Sequence, residues 1–248
     1  MKVITHKDFH EVYNNEPAAA RGRLQAVLDV VGHGVDLEDA LPAPMEDIAA
    51  VHSQLHIANV SRQGLFDIAS LAAGAAIQAA VAGLTGPCFA LVRPPGHHAY
   101  RDQSWGFCYF NNMAIAIDHL KRKELIQTAY LLDFDLHYGD GTVSILREKG
   151  YVAIHNPSGE DRREYLYSVR DNLGSAEADI IAVSAGFDNH LLDWGGLLLT
   201  EDYHAMGLLV WGACQRLGVG CFAVLEGGYN HQVLGEAVSA FLKGLQGT

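Results

Sequence analysis

Residues 131–141 read LLDFDLHYGDG. The apolar run AYLL (129–132) passes without a break into Asp133, Asp135, His137 and Asp140. A short continuous apolar run suits a strand buried on both faces of a parallel sheet. Carboxylates at the end of such a strand are costly to bury unless they are paired or bind a metal. The stretch therefore points to a parallel α/β sheet with chemistry at the carboxyl end of its strands.

Three other segments share this design. CFALV runs into RPPGHH (88–98), DIIAVS into AGFDNH (179–190), and CFAVLE into GGYN (221–230). Helical stretches lie between them: LFDIASLAAGAAIQAAVAGL (65–84), NNMAIAIDHLKRK (111–123) and TEDYHAMGLLVWGACQRLG (200–218). The second starts on capping asparagines and ends in basic residues; the third is expected to be capped by Thr200. Alternating strand and helix implies an α/β fold, a mostly parallel sheet with helices on both faces. Ligands bind such sheets at the carboxyl ends of the strands, so the four polar motifs are expected to meet at one edge. DLEDALPAPMED (36–47) and NPSGEDRRE (156–164) read as surface loops. No repeat or linker interrupts the chain, and one domain over residues 1–248 is expected.

Hydrophobic residues make up 49% of the chain and charged residues 19%, as in an ordinary globular protein. A net charge of −12 argues against a nucleic-acid surface and suits a cationic ligand. With no run of 18 or more apolar residues, no membrane span is expected. The start, MKVITHKDFHEVY, lacks the apolar core of a signal peptide. Four cysteines without CxxC spacing read as free thiols, and a cytoplasmic location is expected.

If the strand continued, Asp133, Asp135 and His137 would share one face. Asp-x-His with a further carboxylate is a set for a divalent metal, or else a charged turn that caps helices. Asp188 completes three ligands and leaves positions open, the pattern of a catalytic site. The donors suit zinc, and iron(II) suits the same set. Beside a metal, one of His97 and His98 can act as base and the other as acid or electrostatic partner. Asp133 and Asp140 are then free to orient them. Tyr229, after two glycines, is either a core tyrosine or a phenol aimed at a developing oxyanion of acyl transfer.

RPPGHHA, GFCYFNN (106–112), DFDLHYGDGT, SAGFDNH and LEGGYN stand in the order used by the histone deacetylase superfamily, which includes acetylpolyamine amidohydrolases, and the chain resembles that group from about residue 45 to 240. MEDIAAVHSQLHI (45–57) is similar to its N-terminal helical region. The resemblance implies the three-layer arginase–deacetylase fold and zinc-dependent hydrolysis of an acylated amine, such as acetyl-lysine or an acetylpolyamine. It implies that Asp135, His137 and Asp188 hold zinc, and that His97 and His98 form the acid/base pair with His98 as general base. It further implies that Asp133 orients His97, that Asp140 orients His98, and that Tyr229 donates to the oxyanion. Gly106 and Phe107 would line the substrate tunnel.

The chain departs from that pattern in several places. After YVAIH (151–155), NPSGEDRREYLYSVRDNL replaces a longer family segment that shapes one tunnel wall, which implies a more open mouth. Ala153 stands where the family has a serine that helps hold potassium, leaving only backbone carbonyls for that ion. DWGG (193–196) replaces a DPLG-like run and puts Trp194 near the tunnel, against substrate or, as expected, against its own loop. NEPAAARGRL (15–24) stands where the family often has a His-Pro stretch. An arginase-like ureohydrolase would need a second metal and further Asp-rich motifs. A non-catalytic binding protein on the same fold would be marked by loss of a ligand, a histidine or the tyrosine, and all are present. Oligomeric state is left open.

Overall fold

The computed structural model describes residues 1–248. Its seven strands are β1 (Lys2–Thr5), β2 (Asp36–Asp39), β3 (Cys88–Ala90), β4 (Ala129–Asp133), β5 (Val152–His155), β6 (Ile180–Ala185) and β7 (Gly220–Leu225). Its helices are α1 (Arg23–Val31), α2 (Met45–Val51), α3 (Gln54–Arg62), α4 (Phe66–Gly83), α5 (Asn112–Arg122), α6 (Asp140–Arg147), α7 (Arg162–Ser175), α8 (Thr200–Leu217) and α9 (His231–Leu245). All strand pairs are parallel, in the order β2-β1-β3-β7-β6-β4-β5. The helices form two layers: α4 and α5 pack together with α6 alongside, and α1, α9, α8 and α7 pack in series. This is the expected three-layer α/β arginase–deacetylase fold.

The strands that lead into the four polar motifs, β3, β7, β6 and β4, are consecutive neighbours in this order. Their apolar runs are buried because helices cover both faces: every residue of β3, β4 and β6 is buried. Parallel strands end on the same side, so the four motifs emerge together. All four cysteines are free and buried.

Helix α4 is long and apolar enough to cross a membrane by length and composition, but 67% of that stretch is buried inside the fold, against α5, β1, β3 and β7. Its alanines and glycines permit close approach. A Cβ on Gly74 would lie 1.8 Å from the Leu41 carbonyl oxygen and 2.6 Å from the Ala43 nitrogen, both backbone. Gly74→Ala is therefore expected to cost about 1–3 kcal/mol through overpacking, read from urea unfolding.

Three local expectations are corrected. Residues 36–47 are loop only over 40–44: DLED is edge strand β2, and α2 starts at Met45. All four β2 residues are exposed, so the strand carries no apolar alternation to reveal it. The stretch 156–164 is loop through residue 161, and only its last three residues are helical; Asp161 Oδ1 accepts from the Arg163 and Glu164 N–H groups at 2.7 and 3.0 Å and caps α7. Thr200 is the first residue of α8 and not its cap. The cap is Leu199, whose N–H donates to Asp202 Oδ2 at 2.7 Å.

Candidate active site

Strand β4 ends at Asp133, so Asp135 and His137 do not continue its alternation. They sit in the turn before α6, shaped by side-chain to backbone bonds. The Asp135 N–H donates to Asp133 Oδ1 at 3.3 Å, and the His137 N–H to Asp135 Oδ1 at 2.9 Å. This turn separates the acids. Asp133 faces His97, while Asp135 and His137 face Asp188 beyond β6. His137 Nδ1 lies 3.3 Å from Asp135 Oδ1 and 3.2 Å from Asp188 Oδ2. Asp188 Oδ1 accepts from the Leu136 N–H at 3.1 Å. Two glycines allow the approach: a Cβ on Gly186 would lie 2.1 Å from Asp135 Oδ2, and one on Gly227 would lie 2.6 Å from both that oxygen and Asp188 Cγ. Gly227 also donates its N–H to Asp135 Oδ2 at 2.8 Å. These glycines serve close packing rather than looseness.

The donor atoms of Asp135, His137 and Asp188 lie within 4.8 Å of one another, the one such cluster of metal-ligating side chains in the chain. Two buried carboxylates in one place repel. Burial and the Asp135 charge push Asp188 up to about 6. Hydrogen bonds to Asp135 and Asp188 raise His137 to about 10. Oxygen, oxygen and imidazole nitrogen around one point form a donor set that fits a divalent cation. A ureohydrolase would need a second metal cluster, and the chain has none.

The tandem histidines follow β3 and are both buried. His97 Nδ1 lies 3.3 Å from Asp133 Oδ2, and its Nε2 lies 3.7 Å from Asp135 Oδ1. His98 Nδ1 lies 2.7 Å from Asp140 Oδ1. The two rings are 4.0 Å apart. Their environments push them in opposite directions. Burial opposes charge on His97, but the Asp135 and Asp133 carboxylates outweigh it and hold the ring well above its usual range. Burial and the charge of His97 lower His98 to about 4. One imidazole is thus set to hold a proton and the other to accept one.

Tyr229 follows β7 after Gly228, whose φ of +112° suits glycine. Asp193 Oδ2 accepts the Tyr229 N–H at 2.7 Å. Burial raises the phenol, so it keeps its proton. Trp194 stacks on the Tyr229 ring at 4.2 Å, and the Phe107 ring meets Tyr229 edge-on at 5.8 Å. A cavity of about 320 Å³ is lined by His97, His98, Trp105, Gly106, Phe107, His137, Trp194 and Tyr229. Trp194 is 52% exposed, so it both packs its loop and faces the opening. Gly106 lies against His98: a Cβ there would meet the ring Cδ2 at 2.4 Å. Every site residue expected from the sequence thus lies in or directly behind this one cavity.

Sequence reasoning misses three residues. Glu226 is fully buried, and its Oε2 accepts the Gly96 and His97 N–H groups at 2.7 and 3.2 Å, tying β7 to the histidine loop. Burial pushes it up to about 7. An acid at the end of an apolar strand is the same signal that flags Asp133, and LEGGYN carries it. Arg23, also buried, donates its Nε–H to the Gly228 carbonyl at 2.8 Å and lies 5.3 Å from the Tyr229 ring centre. Its place 206 positions earlier in the chain leaves no local signal. The third is Trp105.

Comparison with known proteins agrees with this geometry. A family model described as Histone deacetylase domain matches residues 18–157 and 148–245. The two matches overlap over residues 148–157, which take in the turn before β5, β5 itself and the first residues of the loop after it. A "Probable deacetylase" of Methanothermobacter thermautotrophicus is 34% identical over 305 positions, covering 99% of this chain and 91% of that one. That alignment is longer than the 248 residues here, so it contains at least 57 positions that this chain lacks (305 − 248). A "Histone deacetylase-like amidohydrolase" of Pseudomonas aeruginosa is 28% identical, covering 87% of this chain and 72% of the other. The crystal structure of the HDA15 HD domain superposes with a TM-score of 0.82 at 21% identity, covering 99% of this chain and 89% of that one. By its matched domain, its relatives and its fold, the chain belongs to the histone deacetylase family.

Proposed function

We propose that the protein is a zinc-dependent amidohydrolase that removes an acetyl or other short acyl group from an acylated amine, such as acetyl-lysine or an acetylpolyamine. One observation carries the reading. The Asp135–His137–Asp188 cluster, the His97–His98 pair and the Tyr229 phenol all face one small cavity. Relatives named deacetylase and amidohydrolase support it.

Asp135, His137 and Asp188 would hold the metal, zinc or iron(II) by donor chemistry. A divalent cation there supplies Lewis-acid chemistry, polarising a carbonyl and acidifying water. The protein's own groups do the rest. Asp140 accepts the Nδ1–H of His98 and leaves its Nε2 as a free base for the attacking water's proton. His97, held charged between Asp133 and Asp135, is placed to protonate the departing amine. Tyr229 keeps its O–H to donate to the carbonyl oxygen as negative charge develops. Phe107 and Trp194 give the entrance aromatic walls.

The decisive experiment is acetate release by zinc-loaded protein from acetylputrescine, acetylspermidine, acetyl-lysine and an acetyl-lysine peptide, with metal-stripped protein as control. Metal-dependent release is expected from at least one. No release from any of them, with metal bound, would overturn the hydrolase reading.

A pH dependence of metal binding also follows. Without metal, His137 holds its proton up to about pH 10, because Asp135 and Asp188 stabilise the cation. Ligation needs the neutral ring. Apparent affinity should therefore rise about tenfold per pH unit between about pH 7 and 9, with one proton released per metal bound. Below about pH 6, Asp188 competes for a second proton and the slope steepens. Competition titrations with a chromophoric chelator at several pH values measure it; a flat profile would contradict the ligand assignment.

A further inference from the structure

Trp105 has no role in the chemistry so far, and its contacts are unusual for a half-exposed residue at a pocket mouth. Its ring lies 3.9 Å from that of His98, tilted by only 30°. Its Nε1–H donates to Asp140 Oδ2 at 3.1 Å. Asp140 Oδ1 is the oxygen that meets His98 Nδ1. Imidazole, carboxylate and indole therefore form a closed group of three: the indole binds the carboxylate by its edge and covers the imidazole with its face.

The backbone that carries Trp105 is itself held. Ala99 and Ser104 form an antiparallel bridge, and the Tyr100 N–H donates to the Gln103 carbonyl at 2.8 Å. The Cys108 N–H donates to the Trp105 carbonyl at 3.0 Å. Cys108 Sγ accepts the His98 N–H at 3.4 Å, and Gly106 packs on the His98 ring. Residues 105–108 thus grip His98 from the ring face, the ring edge and the backbone. On its solvent side Trp105 donates to Asp140, and the Tyr100 hydroxyl is a second hydrogen-bonding neighbour of the same carboxylate. His98 is 3% exposed, while the Asp140 side chain is 27% exposed. Asp140 Oδ1 also accepts the Gly141 N–H at 2.8 Å, so the carboxylate is anchored from the helix and from the rim at once.

We propose that Trp105 is a positioning residue for the His98–Asp140 pair, fixing the tautomer and orientation of the base by clamping carboxylate and imidazole together at the cavity mouth. The proposal rests on the amide-hydrolysis reading for its consequence, but not for its geometry. A carboxylate held on both oxygens cannot turn away from Nδ1, and a covered ring cannot exchange that bond for water. The Nδ1–H tautomer, with Nε2 as acceptor, is then the only one present.

The test compares Trp105→Leu, which removes stacking and hydrogen bond, with Trp105→Phe, which keeps an aromatic face and removes the bond. Both are made in the zinc-loaded full chain. For Trp105→Leu, kcat should fall about tenfold or more, within the range a positioned base contributes, with KM inside about twofold of wild type. Trp105→Phe should recover part of that loss. The second readout needs no turnover: ¹⁵N shifts of labelled histidine, with the His98 signal assigned by its loss in His98→Ala. Wild type should show a single Nδ1–H tautomer, and Trp105→Leu a mixture. A single unchanged tautomer in Trp105→Leu would overturn the proposal, as would unchanged kcat or a loss confined to KM. Should wild type hydrolyse no acyl amide, the proposed function fails, and the tautomer comparison alone still decides the role of Trp105.

Discussion

Asp188→Asn is expected to abolish stable metal binding and lower deacylation at least about 10³-fold, roughly 4 kcal/mol in transition-state stabilisation. The substitution is chosen to isolate charge. An asparagine Oδ1 can still accept the Leu136 N–H, now bonded at 3.1 Å, so the backbone has no reason to move. What disappears is one of two carboxylates facing His137 Nδ1. The site then offers a cation one negative charge in place of two in a buried, weakly screened setting, where each charge matters most. The imidazole should respond as well. His137 owes its raised pKa to both acids, so it should fall toward the ordinary histidine range. Metal content by elemental analysis, acetate release, and the His137 titration in metal-free protein read the three effects separately. A variant that keeps stoichiometric metal and full activity would exclude Asp188 as a ligand.

Tyr229→Phe should lower kcat about 10²–10³-fold with little change in KM. The phenol is held by contacts that a phenylalanine keeps. Its ring stacks on Trp194, meets Phe107 edge-on and lies under the Arg23 guanidinium. Its backbone N–H is fixed by Asp193. The variant therefore removes one O–H donor and little else. A donor directed at charge that exists only in the transition state affects kcat rather than binding. Loss in KM alone would make Tyr229 a substrate contact and not an oxyanion donor. Unchanged kcat would remove it from the chemistry.

Much of the site is legible in the sequence because parallel α/β sheets put chemistry at one edge. Asp133, His97, Asp188 and Tyr229 lie in separate motifs, yet each follows a buried apolar run. That alone predicts their meeting, and β3, β7, β6 and β4 are adjacent in the sheet. The division of labour among the acids is less legible. Alternation along an extended strand puts Asp133, Asp135 and His137 on one face. The strand ends at Asp133, and side-chain to backbone bonds in the turn send Asp133 to His97 and Asp135 to the cluster with His137 and Asp188. Edge strand β2 is hidden for a related reason: a strand solvated on both faces has no periodic apolar signal.

By itself the sequence determined the fold class, the edge at which the motifs converge and the three candidate ligands, since these depend on local patterns and on a general rule of sheet topology. Only the tertiary structure decided why His97 and His98 differ in proton affinity, and that Arg23, Glu226 and Trp105 brace the site. Those properties depend on burial and on contacts between residues far apart in the chain. Arg23 meets the Gly228 carbonyl across 205 positions, Glu226 meets the Gly96 N–H across 130, and Trp105 meets Asp140 across 35. A desolvated charge or a shared proton is set by three-dimensional neighbours within a few ångströms, and no one-dimensional spacing encodes them.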